Sequence, residues 1–240
     1  MMFKLPVQLL LDRGAFWKTL RGHGVGWAGV ASMALFVIAT CAAYGALMAF
    51  WRSPVLACYA AIKLPLVFVG STAVAAVFNW VVATTLNSGL SFRESVALAY
   101  AAMAVACWIL LALIPVVLFF SLTGVPPAGA TPTPETGAAH RAMLATHIAV
   151  LALAGVAGNA ALYNGLRAVA RPACPAPALF AAWLALFAVV GCQVSWMLRP
   201  FVGSPYLEVS FLREEAFKSN FFQFVFGDLL PRLLKEGASL

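Results

Sequence analysis

The chain has few charged residues. Asp, Glu, Lys and Arg together make up 10% of its 240 residues, against about 25% in an average soluble domain. No Asp or Glu lies deep in any of its long apolar stretches, which argues against a proton-coupled transporter, because such proteins usually carry a buried carboxylate. Gly-rich phosphate loops, GxSxG sequences and HExxH sequences are also absent. We therefore predict that the protein is not an enzyme and has no catalytic residues.

Cysteine pairs are absent as well. The five cysteines are scattered, no CxxC pair occurs, and no Cys/His group has the spacing of a zinc site. We predict neither a disulfide framework, nor a metal site, nor a cofactor. The net charge is +7, but the basic residues lie mostly at the ends of apolar stretches. At the end of the first stretch, for example, Phe50 and Trp51 followed by Arg52 are typical of an interface anchor. This placement favours contact with lipid headgroups and phosphates over binding of nucleic acid.

Hydrophobic residues are abundant, at 63% of the chain. Five apolar stretches each reach the roughly 20 residues that an α-helix needs to cross a bilayer. They are residues 26–50, 64–85, 96–121, 143–166 and 178–198. We predict an all-α, polytopic transmembrane helical bundle of about five spans. A basic interfacial segment (1–24) would precede the membrane domain (25–200), and an amphipathic aromatic tail (201–240) would follow it.

Several segments beside the spans allow two interpretations. Residues 3–21 predict a short interfacial helix or, alternatively, a flexible basic tail. Residues 54–63 are too short to cross and either lie at the interface or extend the second span, with Lys63 reaching outward to water. Ser91 or Ser95 is predicted to cap the third span.

The third span and the loop after it carry several prolines. Pro115 is a candidate kink, and the Pro-rich residues 122–142 predict an exposed, mobile loop. Basic residues divide almost equally between the two sides, so the positive-inside rule does not decide the orientation. The nearly charge-free loop slightly favours a cytoplasmic N-terminus.

Small residues in the fourth span indicate close helix packing. Ala157, Ala161 and Gly165 have small-xxx-small spacing, and Gly158 lies beside them. Asn159 in the same span and Gln193 in the fifth are predicted to hydrogen-bond between helices, at about 1 kcal/mol each. Alternatively, polar span residues line a path for a solute; the candidates are Asn79, Asn159, Asn164 and Gln193. His147 is most simply a packing residue with a satisfied ring.

The exit from the fifth span is the most distinctive part of the sequence. Arginine and prolines in residues 199–205 indicate an interface anchor with a rigid turn, or a device that directs the tail toward a partner protein or lipid headgroup. The tail, residues 211–236, suits an interfacial or docked helix, broken at Gly227 and Pro231. The residues predicted to contact a partner or lipid are Arg199, Phe201, Phe217, Phe221, Phe222 and Phe224.

Two parts of the chain resemble known membrane proteins. Residues 62–114, from Ile62-Lys63-Leu64-Pro65-Leu66 through Phe78-Asn79 and Leu90-Ser91-Phe92-Arg93-Glu94-Ser95, resemble the opening of Yip1-like membrane domains. Residues 191–222, from Gly191-Cys192-Gln193 through Met197-Leu198-Arg199-Pro200-Phe201 to Ser219-Asn220-Phe221-Phe222, are similar to bacterial multi-span proteins of that general type. The resemblance implies five spans, a role in membrane trafficking or shaping, and no catalytic residues. Eukaryotic Yip1 relatives bind partners through a long N-terminal region, which the roughly 24 residues before the first span cannot supply.

We therefore expect a non-enzymatic integral membrane protein, in the bacterial inner membrane. It would act as a structural or accessory subunit of a membrane assembly, or as a membrane organiser. Its expected partners are membrane lipid and other membrane proteins or further copies of itself. An oligomeric pore or transporter for a small solute or lipid is the alternative, and a membrane enzyme comes third.

Overall fold

The computed structural model describes residues 4–22, 24–123, 134–213, 216–231 and 234, and within them it contains helices and connecting segments but no strand. Its elements are α1 (Lys4–Leu11), α2 (Arg13–Gly22), α3 (Trp27–Phe50), α4 (Pro54–Thr85), α5 (Phe92–Thr123), α6 (Pro134–Val169), α7 (Ala176–Leu198), one further turn α8 (Phe221–Gln223) and a π-helical turn (Phe224–Leu229). Five of these helices, α3 to α7, are long and apolar enough to cross a membrane. The predicted all-α fold with five spans is confirmed.

The span boundaries follow local capping chemistry. The Ser53 hydroxyl accepts a hydrogen bond from the Leu56 backbone N–H at 3.0 Å and so caps the start of α4. Residues 54–63 are therefore the first turns of α4, and of the two interpretations the extension of the second span is the right one. The predicted cap of the third span is confirmed at Ser91. The Ser91 hydroxyl accepts from the Glu94 N–H, and the Glu94 carboxylate accepts from the Ser91 N–H.

The predicted loop over residues 122–142 is partly wrong. Residues 124–133 lie outside the described part of the chain, but residues 134–142 form the first turns of α6. Pro134 occupies the first helical position, where its missing N–H would have no intrahelical partner and its fixed φ suits a helix. Pro115 lies inside α5, which continues past it to Thr123.

The N-terminal residues pack on the bundle. Leu9, Phe16 and Leu20 are fully buried, and the indole N–H of Trp108 in α5 donates to the Pro6 carbonyl at 2.9 Å. The segment forms two short helices, because the Asp12 carboxylate accepts from the Ala15 N–H and starts a new helix there. The alternative of a flexible tail is wrong for the described residues.

Close backbone approach holds the long helices together. Helices α3 and α4 pack against each other, as do α5 and α6, while α7 packs mainly on α4. At the α3–α4 contact, a Cβ added to Gly45 would collide with the carbonyl oxygen of Ala60. Across the core, the buried Tyr44 hydroxyl and the His147 ring form a hydrogen bond of 3.1 Å. His147 is therefore a core packing residue bonded through Nδ1, while its buried Nε2 has no partner among the described residues.

We expect Gly45→Ala to destabilise the bundle by about 1–3 kcal/mol, the usual cost of overpacking. Gly70→Ala in α4 is the matched control, because a Cβ there meets no atom within 4 Å. The gain in helix propensity, about 1 kcal/mol, applies to both variants and cancels in the comparison. The measurement is the midpoint of thermal unfolding in detergent. Equal midpoints for the two variants would contradict the close contact at Gly45.

Candidate functional site

One end of the bundle is covered by the chain that leaves the fifth span. Residues 199–213, which we name the return segment, run back across the point where α3 ends and α4 begins. Three span side chains donate hydrogen bonds to its backbone carbonyls. The pairs are Trp51 Nε1 to Val202 at 3.0 Å, Arg52 Nε to Ser204 at 3.0 Å, and Lys63 Nζ to Pro200 at 3.0 Å. The return segment is thereby fastened to the bundle along its first half.

These contacts satisfy backbone groups that the return segment cannot pair within itself. It has no regular helix or strand, and buried carbonyls left unpaired are costly. A second nitrogen of Arg52 donates to the Leu207 carbonyl at 3.2 Å, so one guanidinium holds two carbonyls. Gly203 has φ of +80°, and a Cβ there would collide with Leu56. Glycine therefore lets the turn lie directly on α4.

Lys63 departs from its prediction. The side chain is 0% exposed and does not reach outward to water. Its ammonium group bonds to the Pro200 carbonyl and lies 4.8 Å from the ring centroid of Phe211, within cation–π distance. The physical reason is that the return segment covers the route along which the side chain would extend. Sequence alone does not show that residues far along the chain close this route.

The tail is docked on the last turns of α7. The indole N–H of Trp196 donates to the Ser219 carbonyl at 3.0 Å, and the Gln193 side-chain oxygen accepts from the Phe221 N–H at 3.2 Å. The Arg199 guanidinium lies 3.4 Å from the Trp196 ring centroid. The Phe224 ring packs on the same indole, with centroids 4.9 Å apart. Trp196 thus organises both the exit from the span and the tail.

The predicted contact residues divide into two groups. Arg199, Phe221 and Phe224 meet around Trp196, and Phe222 packs on Phe221. Phe201 is half-buried and packs against the hydrophobic core. In contrast, Phe217 is exposed and lines a shallow space beside Gln193 and Met197 of α7.

The most exposed aromatic side chains of the described part of the tail are Phe217, at 71%, and Phe226, at 64%. Between them in sequence, the Asn220 and Gln223 side chains cap the α8 turn reciprocally. We name these two exposed side chains the Phe217/Phe226 platform.

The predicted packing residues of the fourth span also divide. A Cβ on Gly158 would lie 3.0 Å from the Ala102 carbonyl of α5. Ala161 is buried, and a Cβ on Gly165 would meet Leu98 and Trp17. Ala157, however, is only half-buried. Ala154 is buried on the face of Gly158 and Ala161, so the packing register begins at Ala154.

The structure does not gather the polar span residues along one path. Asn79 is buried, Asn164 is exposed, and Asn159 lines an apolar pocket between α6 and α7. Gln193 bonds to the tail rather than to another span, so its predicted interhelical bond is wrong. Sequence reasoning also missed Trp51 and Arg52, which it assigned to headgroup contact. A tryptophan followed by an arginine at the end of a span suits both contact with lipid headgroups and contact with the return segment.

The fold and this site define an α-helical integral membrane protein whose C-terminal segment is docked on one end of its bundle. Among the described residues, no group of three or more His, Cys, Asp or Glu side chains is placed to hold a metal ion. Comparisons with protein-family models, with curated proteins and with solved structures find no significant match.

We expect Arg52→Ala to loosen the return segment, because two carbonyls lose a charged donor and hydrogen bonds to charged groups contribute about 1.5–3 kcal/mol each. Hydrogen exchange measured by mass spectrometry should rise in peptides that cover residues 199–213.

The matched control is Arg171→Ala at the opposite end of the bundle, where the Arg171 side chain bonds to Asn87 at 3.3 Å. That variant should raise exchange in residues 86–91 and leave the return segment unchanged. If Arg52→Ala instead raises hydrogen exchange along the whole chain, Arg52 supports the whole bundle rather than the return segment.

Proposed function

We propose that the protein is a non-enzymatic subunit of a membrane assembly, or an organiser of the surrounding membrane, in the bacterial inner membrane. The observation that carries this function is the Phe217/Phe226 platform. Two large aromatic side chains are held outward on a tail that is itself fastened to α7. Exposed apolar groups of this kind usually mark contact with protein or membrane.

The way the tail is fastened supports a binding role. Its backbone is tied to α7 by Trp196 and Gln193, and the Phe221 and Phe224 rings pack on Trp196. These contacts position Phe217 and Phe226 before any partner binds. A preformed surface loses less conformational entropy on binding than a flexible one. The platform therefore suits a lasting contact with a partner or the membrane.

The polar groups of the spans support a role without catalysis. The Tyr44 hydroxyl and the His147 Nδ1 pair with each other in the core, and the Lys63 ammonium binds the return segment. The Trp183 indole donates to the backbone carbonyl of Asn79 at 2.9 Å, while the buried Asn79 side-chain amide has no partner among the described residues. The pairs at Tyr44 and Lys63 therefore serve the folding of the bundle.

The resemblance to Yip1-like domains supports the same function, since members of that family act in membrane trafficking and shaping without catalytic residues. Expected partners are membrane lipid and either another membrane protein or a second copy of this chain. The alternative, an oligomeric pore, requires polar side chains along a shared path. The separate positions of Asn79, Asn159, Asn164 and Gln193 give that alternative no specific support.

A photo-reactive phenylalanine analogue at position 217 or 226 should crosslink in cells to one dominant membrane protein, or to a second copy of the chain. Ile148 and Val156 are suitable control positions, since they are 66% and 68% exposed on the span α6. We expect only lipid adducts at the controls. The same adducts at all four positions would contradict a specific protein contact at the platform.

The double variant Phe217→Ser/Phe226→Ser should lose the crosslinked or co-purified partner while keeping the wild-type melting temperature. Both side chains are exposed, and surface substitutions usually change stability by no more than about 0.5 kcal/mol. Unchanged co-purification would contradict a role for the platform. Purified monomer that transports a solute into liposomes would favour the transporter alternative instead.

A further inference from the structure

Helices α6 and α7 are neighbours in the sequence but touch little along their length, because α7 packs mainly on α4. An open groove of about 740 Å³ lies between them. Its walls are mostly apolar and include Leu151, Gly155, Phe187, Ala188, Gly191 and Trp196. This volume falls in the range of about 300–1,000 Å³ that is typical of ligand sites.

The groove deepens toward the middle of the bundle. A second space of about 260 Å³ shares Gly155, Phe187 and Ala188 with it and is closed by Phe68 of α4 and Met103 of α5. The two spaces therefore adjoin each other at these three residues.

Glycines keep this space open. A Cβ on Gly155 would meet no atom within 4 Å, and a Cβ on Gly191 would meet only the Ser71 hydroxyl at 3.9 Å. In contrast, the core glycines Gly45 and Gly158 lie against backbone of the neighbouring helix. Gly155 and Gly191 thus face a gap rather than a helix contact. The absence of side chains at these two positions leaves space for another molecule.

The groove is longer than the hydrocarbon part of one leaflet of a bilayer. Its lining extends along α7 from Leu184 to Arg199, which is about 22 Å at the helical rise. One leaflet of the hydrocarbon core is about 15 Å thick, half of the full core. An extended acyl chain that enters at the end of α7 can therefore lie in the groove down to the bilayer centre.

The outer end of the groove is basic. Arg199 lines both the groove and a cleft of about 440 Å³ beneath the return segment. Arg52 and Arg213 also line this cleft, together with one carboxylate, Glu208. Among the described residues that line the cleft, three carry guanidinium groups and one carries a carboxylate, a balance that favours an anion. Guanidinium forks match the oxygens of a phosphate group.

We infer that the groove binds one acyl chain of an anionic phospholipid, with the phosphate of its headgroup at Arg199 and Arg213. The apolar groove and the basic cleft meet at Arg199, so a single molecule with a tail and a charged head fits both. This site lies apart from the Phe217/Phe226 platform and is independent of the proposed partner contact.

The direct test compares headgroups on the same acyl chains. Full-length protein in detergent is titrated with dioleoyl phosphatidylglycerol or dioleoyl phosphatidylcholine, and the one-to-one complex is followed by native mass spectrometry. We expect phosphatidylglycerol to bind about tenfold more tightly, equivalent to about 1.4 kcal/mol. Glycerol phosphate at millimolar concentration should not compete, because it lacks the acyl chain. Equal affinities for the two lipids, or competition by glycerol phosphate alone, would overturn the inference.

Variants distinguish the contribution of the lipid headgroup to binding from that of the acyl chain. Arg213→Gln and Arg199→Gln should each weaken phosphatidylglycerol more than phosphatidylcholine and so reduce the preference between them. Both lipids carry the phosphate, but the choline cation of phosphatidylcholine already opposes its contact with the arginines. Gly155→Phe should weaken both lipids by about tenfold, since it fills the space that the acyl chain needs, and tenfold corresponds to about 1.4 kcal/mol. Gly70→Phe is the matched control: its Cβ is equally open, but it does not line the groove.

Gly191→Leu is a second groove variant, to be used if Gly155→Phe lowers the yield of folded protein. Wild-type affinity in a folded groove variant would overturn the assignment of the acyl chain to this groove. Wild-type headgroup preference in both arginine variants would overturn the assignment of the phosphate. Crosslinking at positions 217 and 226 serves as the separate readout of the platform and should be unchanged in Gly155→Phe.

Discussion

Hydrogen bonds from Trp51, Arg52 and Lys63 to backbone carbonyls fasten the return segment onto the bundle. Irregular backbone at the edge of a membrane must find donors elsewhere, since it lacks the internal pairs of a helix. The bundle supplies those donors from the end of α3 and the first turns of α4. In return, the carbonyl of Pro200 gives the buried Lys63 ammonium the polar partner that a buried charge requires.

The arrangement at this end of the molecule follows from that fastening. With residues 199–213 held across α3 and α4, the Arg199 guanidinium lies on Trp196, and its other side lines the basic cleft. The same indole holds the tail through Ser219 and Phe224. The exposed Phe217 and Phe226 follow this turn in the chain, while the α6–α7 groove opens beside Arg199. The proposed partner contact and the proposed lipid groove are thus both next to the exit from α7.

Much of the fold was predictable because lipid imposes strong rules on sequence. Long apolar stretches identified all five spans, and the start of α5 was predicted at one of two possible caps, Ser91 or Ser95. The structure selects Ser91, which bonds reciprocally with Glu94. Features that depend on residues far apart in the sequence were harder to predict. Lys63 and Arg52 resembled ordinary headgroup anchors, because their true acceptors lie about 140 and 150 residues further along the chain. The packing register of α6 was misplaced at Ala157, since small residues occur on more than one of its faces.

The sequence by itself determined that this chain has five helices long and apolar enough to cross a membrane and which residues form their central parts. The reason is that apolar length and the absence of internal charge are local properties, readable without any partner. Only the tertiary structure decided which segments pack against each other. It placed the return segment over Lys63, separated α6 from α7, and divided the predicted aromatic residues into those that bind Trp196 and those that remain exposed. These contacts depend on the shapes of several helices packed together, so they cannot be inferred from any short stretch of sequence.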